Sequence, residues 1–462
     1  MTKTYTERPL PDDFSHAFKD ADIRGVYPRE IDEVVAYRTA RAFVAECAPD
    51  TVLVARDMRV SSPDLAQAFI AGVRDGGVEV IDIGMVDTPA LYYASGVYGA
   101  HGVMITASHN PKHYNGMKLV GPGAVPLTNA TGLRAIQKRI VENTFSSPRK
   151  RGAIKKRSIA AAYSKYVRSV IPLDKKIPLR IAVDVGNGMA SYILPIIQTL
   201  PIEVEVLFAE PDGTFPNRDS NPTLAKNQTA IRKLLREGGY DFGVSFDGDA
   251  DRLAFFDEKG RYINSAAVGA LLAEHILQQQ PQSTFVYTVF TSKMYEETIK
   301  RCGGKAVKAR VGHAFIKEVM RARDAVFACE HSAHFYFKDN YFADSGILAL
   351  LYAAAAYQRS KSNGESFSSM MRPYQPYFQT EEILVEVSDK KATLKAVEQW
   401  YRSQDPESVT VYDGVTVRYP DYWLVIKQSV TEDALKYVVE ARTKAVAKQA
   451  QKELQAVLQR HA

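Results

Sequence analysis

The sequence predicts an α/β fold with three related units, followed by a last part of different, α+β character. Three observations carry this. Val52-Leu53-Val54-Ala55-Arg56-Asp57, Arg180-Ile181-Ala182-Val183-Asp184 and Thr284-Phe285-Val286-Tyr287-Thr288 are short apolar segments rich in β-branched or aromatic residues. Each runs into a polar or glycine-containing turn and then a helix-like stretch. Their spacing of about 100–130 residues is that of whole α/β units, longer than the ~20–50-residue period of a solenoid. Strands that alternate with helical patterns call for mixed or parallel sheets covered on both faces.

At 462 residues the chain exceeds what one hydrophobic core organises, and about three or four domains are expected. The boundaries are placed at punctuation, giving domains at 1–147, 148–262, 263–370 and 371–462. The stretch 146–158 is basic and breaks the α/β pattern. Glu258-Lys259-Gly260 reads as a hairpin turn. The stretch 360–369 is rich in Ser, carries Asn363 and Gly364, and leads to Pro373 and Pro376. Beyond it, 380–387 alternates as a strand. From Val430 onward, Ala, Leu, Lys, Glu and Gln read as one long helix.

Hydrophobic content of 46% with 24% charged residues is that of a soluble globular protein. Residues 1–13 are polar and lack the apolar core of a signal peptide. The longest apolar stretch, 346–357, is too short to span a bilayer and suits a buried helix. Cys47, Cys302 and Cys329 are odd in number and far apart, which fits a reducing cytoplasm rather than a disulfide framework. A net charge of +6 suits a small anionic substrate and does not demand nucleic acid. The one dense basic run, Arg149-Lys150-Arg151 to Lys155-Lys156-Arg157, has no interleaved aromatic residues to stack bases and reads as a solvated linker. A cytoplasmic protein without nucleic-acid or membrane partners is expected.

Two short segments carry the chemistry. The first, Thr106-Ala107-Ser108-His109-Asn110-Pro111, follows the apolar strand end Val103-Met104-Ile105. Pro111 restricts Asn110 to extended geometry and stiffens the loop. A serine hydroxyl is a weak nucleophile until a base or a metal activates it. His109 is adjacent, and His101, His113 and Lys118 are near in sequence. On these residues alone an ordinary serine–histidine turn is the simpler reading.

The second segment, Asp247-Gly248-Asp249-Ala250-Asp251-Arg252, connects two buried strands, 240–246 and 253–256. Carboxylates at alternate positions can converge on one cation, and oxygen-only ligands select magnesium or calcium. Without a cation they would repel and drive each other's pKa upward. A calcium EF-hand is excluded because its sixth loop position needs glycine and here is Arg252, and because the flanks are strand-like. Arg252 then serves the carboxylates or a phosphate. A hydroxyl nucleophile together with a magnesium loop implies phosphoryl transfer.

With both loops in view, the chain resembles the α-D-phosphohexomutase family of phosphoglucomutase and phosphomannomutase. The family's phosphoserine loop has the form found at Thr106 to Pro111, and its metal loop the form found at Asp247 to Arg252. Its sugar loop, Gly-Glu-x-Ser-Gly, is similar to Cys329-Glu330-His331-Ser332-Ala333-His334, with both glycines replaced by small residues. Asp22-Ile23-Arg24-Gly25, Asn115-Gly116-Met117-Lys118 and Gly312-His313-Ala314-Phe315-Ile316-Lys317 also match, in family order from about residue 14 to 440.

The resemblance implies four domains around a central cleft, with Ser108 carrying a phosphoryl group. It implies Mg²⁺ held by Asp247, Asp249, Asp251 and a phosphate oxygen on Ser108. A hexose 1- or 6-phosphate would pass through a bound hexose 1,6-bisphosphate, which also serves as activator. Ser108, His109, Arg24, Lys118, Arg252 and His334 become the catalytic candidates, with Lys118 or His334 as acid/base. Glu330 and Ser332 would bind sugar hydroxyls, and His313, Lys427, Ser429 and Thr431 complete the substrate-binding candidates. A monomer or weak dimer is expected. Read without the family, Lys118 is a surface lysine and His334 a core or surface histidine.

The chain departs from the family in its fourth loop, usually Arg-x-Ser-x-Thr-x-Pro. Here Lys427-Gln428-Ser429-Val430-Thr431-Glu432-Asp433 keeps Ser429 and Thr431. Lys427 keeps the charge but loses the bidentate fork of arginine. Val430 is stiff where a small residue is usual, and Asp433 adds a negative charge. Phe290 stands close to where many relatives have lysine. His331 and His334 resemble the members that act on both mannose and glucose phosphates. Phosphoglucosamine mutase, a non-catalytic sugar-phosphate-binding relative and a phosphatase are the rival readings.

Overall fold

The three repeated apolar segments become strands with the same kind of neighbours on either side. The computed structural model describes residues 3–145, 150–429 and 434–461. The chain divides into two units, Met1–Ile263 with Ser332–Ser368, and Asn264–His331 with Ser369–Ala462.

In the first unit, β1 (Ile23–Val26), β2 (Thr51–Arg56), β3 (Glu79–Met85), β4 (His101–Ile105), β5 (Tyr114–Gly121), β6 (Val125–Pro126) and β7 (Ile154–Lys156) order as β1-β5-β4-β2-β3-β7, with β6 on β5. β2 is parallel to both β3 and β4, whereas β5 is antiparallel to β4 and β1. The second sheet contains β8 (Leu179–Asp184), β9 (Ile202–Leu207), β10 (Phe242–Phe246), β11 (Leu253–Asp257) and β12 (Tyr262–Ile263), in the order β12-β11-β10-β8-β9. β8 is parallel to β9 and β10, and β11 turns back antiparallel on β10. Parallel neighbours need long crossovers, here the helices Ser62–Asp75, Thr88–Tyr98 and Thr229–Glu237. The helix Ser62–Asp75 packs tightly on Glu33–Cys47 because Gly72 has no side chain. A Cβ there would lie 2.4 Å from the Tyr37 carbonyl oxygen.

A hairpin of Phe335–Phe337 and Ala343–Asp344 also belongs to this unit. It leads into the buried apolar helix Gly346–Ser362, expected from the sequence and capped by the Ser345 side chain on the Leu348 N–H. Glu258-Lys259-Gly260 forms the expected turn between β11 and β12, with the Gly260 N–H on the Asp257 carbonyl.

In the second unit, Thr284–Thr288 is parallel to Lys305–Ala309 and Phe327–Cys329, which repeats the arrangement around β2 and β8. The C-terminal part is an antiparallel sheet with helices Lys390–Arg402 and Lys444–His461 packed on it, α+β as expected.

Two expectations are corrected. Residues 154–156 are not linker but strand β7, parallel to β3, with exposed side chains and a Lys155–Glu79 ion pair at 2.8 Å. The basic side chains on an exposed edge hid the strand. The long C-terminal helix does not begin at Val430; Ala434–Ala441 is a strand and the helix is Lys444–His461. That strand buries both faces, Leu435, Tyr437 and Val439 in one core and Val438 in another. Burial on both sides removes the period-two alternation by which a strand is read. Residues 430–433 lie outside the described residues.

The chemistry-bearing loops occupy equivalent places. Ser108 follows β4, the third strand of its parallel run, and Asp247 follows β10, the third of its own. Glu330 follows Phe327–Cys329, again the third. Each loop contains one non-glycine residue in the left-handed region: Ser108 at φ 50°, Ala250 at φ 61° and Ala333 at φ 69°. Such a conformation costs an ordinary residue roughly 1–2 kcal/mol, so each loop must be held by its surroundings.

Candidate active site

Ser108 is buried, and its Oγ donates to Asp247 Oδ2 at 2.8 Å across 139 residues of sequence. The turn is closed locally by the Ser108 N–H on Thr106 Oγ1 at 2.9 Å. His109 Nδ1 is 3.4 Å from the serine hydroxyl. Burial, then the Arg252 and Arg24 cations, push the His109 pKa well below its ordinary value, so the ring is neutral. His101 packs edge-on against Phe43 and His113 lies exposed against Tyr114; neither contacts the hydroxyl.

Asp247, Asp249 and Asp251 are fully buried, with one oxygen of each within 4.8 Å of the others. β10 and β11 bring them together, since the tight antiparallel connection sends alternate side chains to one side. Burial, then Asp251 and Asp249, raise the Asp247 pKa well above the carboxylate range. Against its own burial, Lys118 and His334 hold Asp251 well below that range. Oδ1 of Asp249 is buried and accepts no hydrogen bond among the described residues. Three converging carboxylates, whose mutual repulsion a cation would relieve, fit a hard divalent cation such as Mg²⁺.

Lys118, at the end of the family-like segment on β5, is buried and donates to Asp249 Oδ2 at 2.7 Å and Asp251 Oδ2 at 2.6 Å. Those two carboxylates outweigh burial and raise its pKa well above the lysine value, so it is an ammonium. Arg252 donates from its N–H to Asp247 Oδ1 at 3.2 Å and from Nε to His334 Nε2 at 3.2 Å. The other ring nitrogen of His334 is 3.0 Å from Ser332 Oγ. Arg24 is oriented by Asp22 at 2.6 Å and Asn110 Oδ1 at 2.7 Å. All six catalytic candidates therefore lie in the first unit, and four of them, Ser108, Lys118, Arg252 and His334, directly contact the three aspartates.

In the second unit Glu330 is buried, and His313 opens the helix His313–Ala322. Lys427 is buried, and its ammonium is engaged by Asp413 at 2.8 Å. Ser429 is buried and Thr431 lies outside the described residues. Phe290 packs with Val289, Trp423, Val425 and Val438, an apolar setting that explains why no charge stands there.

Models of phosphoglucomutase/phosphomannomutase α/β/α domains I, II and III match residues 15–147, 161–260 and 264–377. The chain belongs to the phosphoglucomutase/phosphomannomutase family. It is 38% identical over 429 residues to a protein named phosphohexose mutases from Xanthomonas campestris, covering 92% of this chain and 95% of that one. It is 35% identical over 435 residues to a phosphomannomutase of Salmonella montevideo, covering 92% and 94%. A crystal structure of a phosphoglucomutase/phosphomannomutase family protein from Burkholderia thailandensis superimposes with a TM-score of 0.88 at 29% identity, covering 96% and 97%.

Within this phosphoglucomutase/phosphomannomutase scaffold, several contacts escaped the sequence reading. Thr88 donates from Oγ1 to Asp249 Oδ2 at 2.6 Å. Asp344 comes within 3.7 Å of His334 Nε2. Asp413 holds Lys427. Asp87-Thr88-Pro89 has the composition of a helix start, which flags the position but not its partner. Nothing local to Asp344 signals a role, because its neighbour in space is brought by the hairpin. No helix among the described residues is long and apolar enough to cross a membrane.

Proposed function

We propose that this chain is a phosphohexose mutase that moves a phosphoryl group reversibly between the 1- and 6-positions of mannose and glucose phosphates. Ser108 is the carrier and a hexose 1,6-bisphosphate the bound intermediate. The observation that carries this reading is the 2.8 Å contact of the Ser108 hydroxyl with Asp247 at the edge of a three-carboxylate cluster.

Phosphoryl transfer needs alignment and neutralisation of charge more than covalent chemistry. Asp247, Asp249 and Asp251 would hold Mg²⁺, which when bound would supply positive charge to the transferring phosphoryl group. This chain's own residues do the rest. The phosphoserine Oγ–P bond breaks as the sugar oxygen–P bond forms, and the sugar hydroxyl proton goes to His334, whose imidazole is oriented by Ser332 and Arg252. Lys118, bound to two carboxylates, holds charge rather than accepting the proton. Arg24 adds a guanidinium that Asp22 and Asn110 keep oriented. After the intermediate turns over, the Ser108 oxygen, left without a proton by the first transfer, takes the other phosphoryl group, and His334 gives its proton to the sugar oxygen that is released. Glu330, Ser332, His313, Lys427, Ser429 and Thr431 are the proposed substrate contacts.

The test is conversion of mannose 1-phosphate and glucose 1-phosphate to their 6-phosphates, with Mg²⁺ and a trace of the 1,6-bisphosphate. Turnover of both, abolished in Ser108→Ala, is the expected result. Turnover of glucosamine phosphate alone, sustained release of inorganic phosphate, or activity that survives Ser108→Ala would each overturn it.

A further inference from the structure

The space between the serine turn and the aspartate turn is filled by a third segment, 213–220, which has no regular secondary structure. Its start is pressed against the backbone of Arg59: a Cβ on Gly213 would lie 2.6 Å from Arg59 Cα. Phe215 then lays its ring 5.2 Å from the Arg59 guanidinium. Arg218, paired with buried Asp184 at 2.7 Å, donates to the Phe246 carbonyl at 2.7 Å, immediately before Asp247. The segment ends at Ser220, which is 1% exposed.

The Ser220 hydroxyl joins the two turns through a single oxygen. It donates to the Ser108 carbonyl at 2.8 Å and accepts from the Gly248 N–H at 3.0 Å. The Ser108 carbonyl is held a second time by Arg59 Nη2 at 2.8 Å, and the same guanidinium reaches the Asn110 and Pro111 carbonyls at 2.7 and 2.8 Å. Two donors on one carbonyl fix the peptide plane of a residue held at φ 50°, and so fix the Cα–Cβ direction from which its Oγ reaches Asp247. Gly248 permits the approach, since a Cβ there would lie 2.6 Å from both the Ser108 carbonyl oxygen and Ser220 Oγ. A hydroxyl can donate and accept at one atom, which this bridge requires.

We propose that Ser220 is a positioning residue for phosphoryl transfer, with Arg59 as its partner, setting the register of the Ser108 hydroxyl against the three aspartates. The inference rests on the mutase reading. Because a misplacement of 1 Å can cost about 10²-fold in rate, the effect belongs in kcat and not in substrate affinity.

The experiment compares Ser220→Ala, Ser220→Thr and Arg59→Lys in the full chain. Ser220→Ala is expected to lower kcat by roughly 10- to 100-fold with KM nearly unchanged, and to slow transfer of phosphate from glucose 1,6-bisphosphate to Ser108, followed by mass spectrometry. Ser220→Thr keeps the hydroxyl and is expected to recover most of both. Wild-type kcat in Ser220→Ala, or a change confined to KM, would overturn the proposal. If Ser220→Ala does not fold, Arg59→Lys is expected to give the same loss in kcat, and wild-type turnover there overturns it. Amide exchange of Gly248 in the wild-type protein stands apart from activity. Slow exchange supports the bridge and fast exchange refutes it, even if the protein proves not to be a mutase.

Discussion

The Lys118 ammonium lies 2.7 Å from Asp249 and 2.6 Å from Asp251, so the buried carboxylate cluster carries its own internal cation. The lysine comes from the strand that leaves the serine turn, and the carboxylates from the turn of another sheet. The pair therefore ties the two loops by charge as Ser220 ties them by a hydroxyl.

Removing that cation exposes its structural share. Lys118→Met takes the ammonium away from two buried carboxylates, leaving, among the described residues, Asp249 only the Thr88 hydroxyl and Asp251 only His334 beside it, and breaking a buried pair from one side costs about 3–5 kcal/mol. Denaturant unfolding of metal-free protein is expected to register that loss, and added Mg²⁺ to recover more stability in the variant than in the wild type. Equal stabilisation of both by Mg²⁺ would mean the ion does not enter this cluster.

Thr88 reaches the cluster from the helix start, with its hydroxyl 2.6 Å from Asp249 Oδ2. Partners of metal ligands typically control affinity or activity by about 10- to 100-fold. Thr88→Val is expected to weaken Mg²⁺ binding by that order, read by calorimetric titration. Unchanged affinity would remove Asp249 from the ligand set.

Asp87, next to Thr88 and in the field of Asp249, gives a pH-dependent signature of its own. Burial pushes its pKa up to about 8, and Tyr163 donates to it at 3.3 Å. The folded state thus keeps a proton that the unfolded chain loses near the ordinary aspartate pKa of about 4. The resulting stability is fully present below pH ~4 and is lost as pH rises through about 8, with a slope of at most about 1.4 kcal/mol per pH unit. Asp87→Asn is expected to flatten the decline of stability between pH 5 and pH 8 (roughly the window set by those two values). Parallel profiles for variant and wild type would contradict it.

Lys427 stands where the family usually has arginine, and its charge is already engaged by Asp413. Lys427→Met is expected to destabilise the protein by about 1–3 kcal/mol through the carboxylate left behind, and to raise KM for hexose phosphates. A fall in the melting temperature with unchanged KM would make Lys427 a purely structural residue and move phosphate binding elsewhere.

Much of the candidate site was legible in sequence because its parts are contiguous. The Ser108 turn and the Asp247–Arg252 turn each carry donor atoms at spacings that mean something locally, and each sits between apolar segments that form β4 and β5, or β10 and β11. The helix Gly346–Ser362 was readable from its apolar run for the same reason. The strand Ala434–Ala441 was not, because both of its faces are buried and periodicity vanishes. The edge strand β7 was hidden by its charged, exposed side chains.

The sequence by itself determined which candidate groups are available: a hydroxyl in a stiff turn, three alternating carboxylates and an arginine are properties of residue type and spacing. It also determined the repeat of parallel strands, since each unit has its own hydrophobic pattern. Tertiary structure alone decided which groups meet. Ser108 reaches Asp247 across 139 residues, Lys118 reaches Asp251 across 133, and Ser220 reaches Ser108 across 112. Those contacts arise because sheets place their loops at equivalent strand ends, and no local pattern around Thr88, Arg59 or Ser220 records which distant atom each will face.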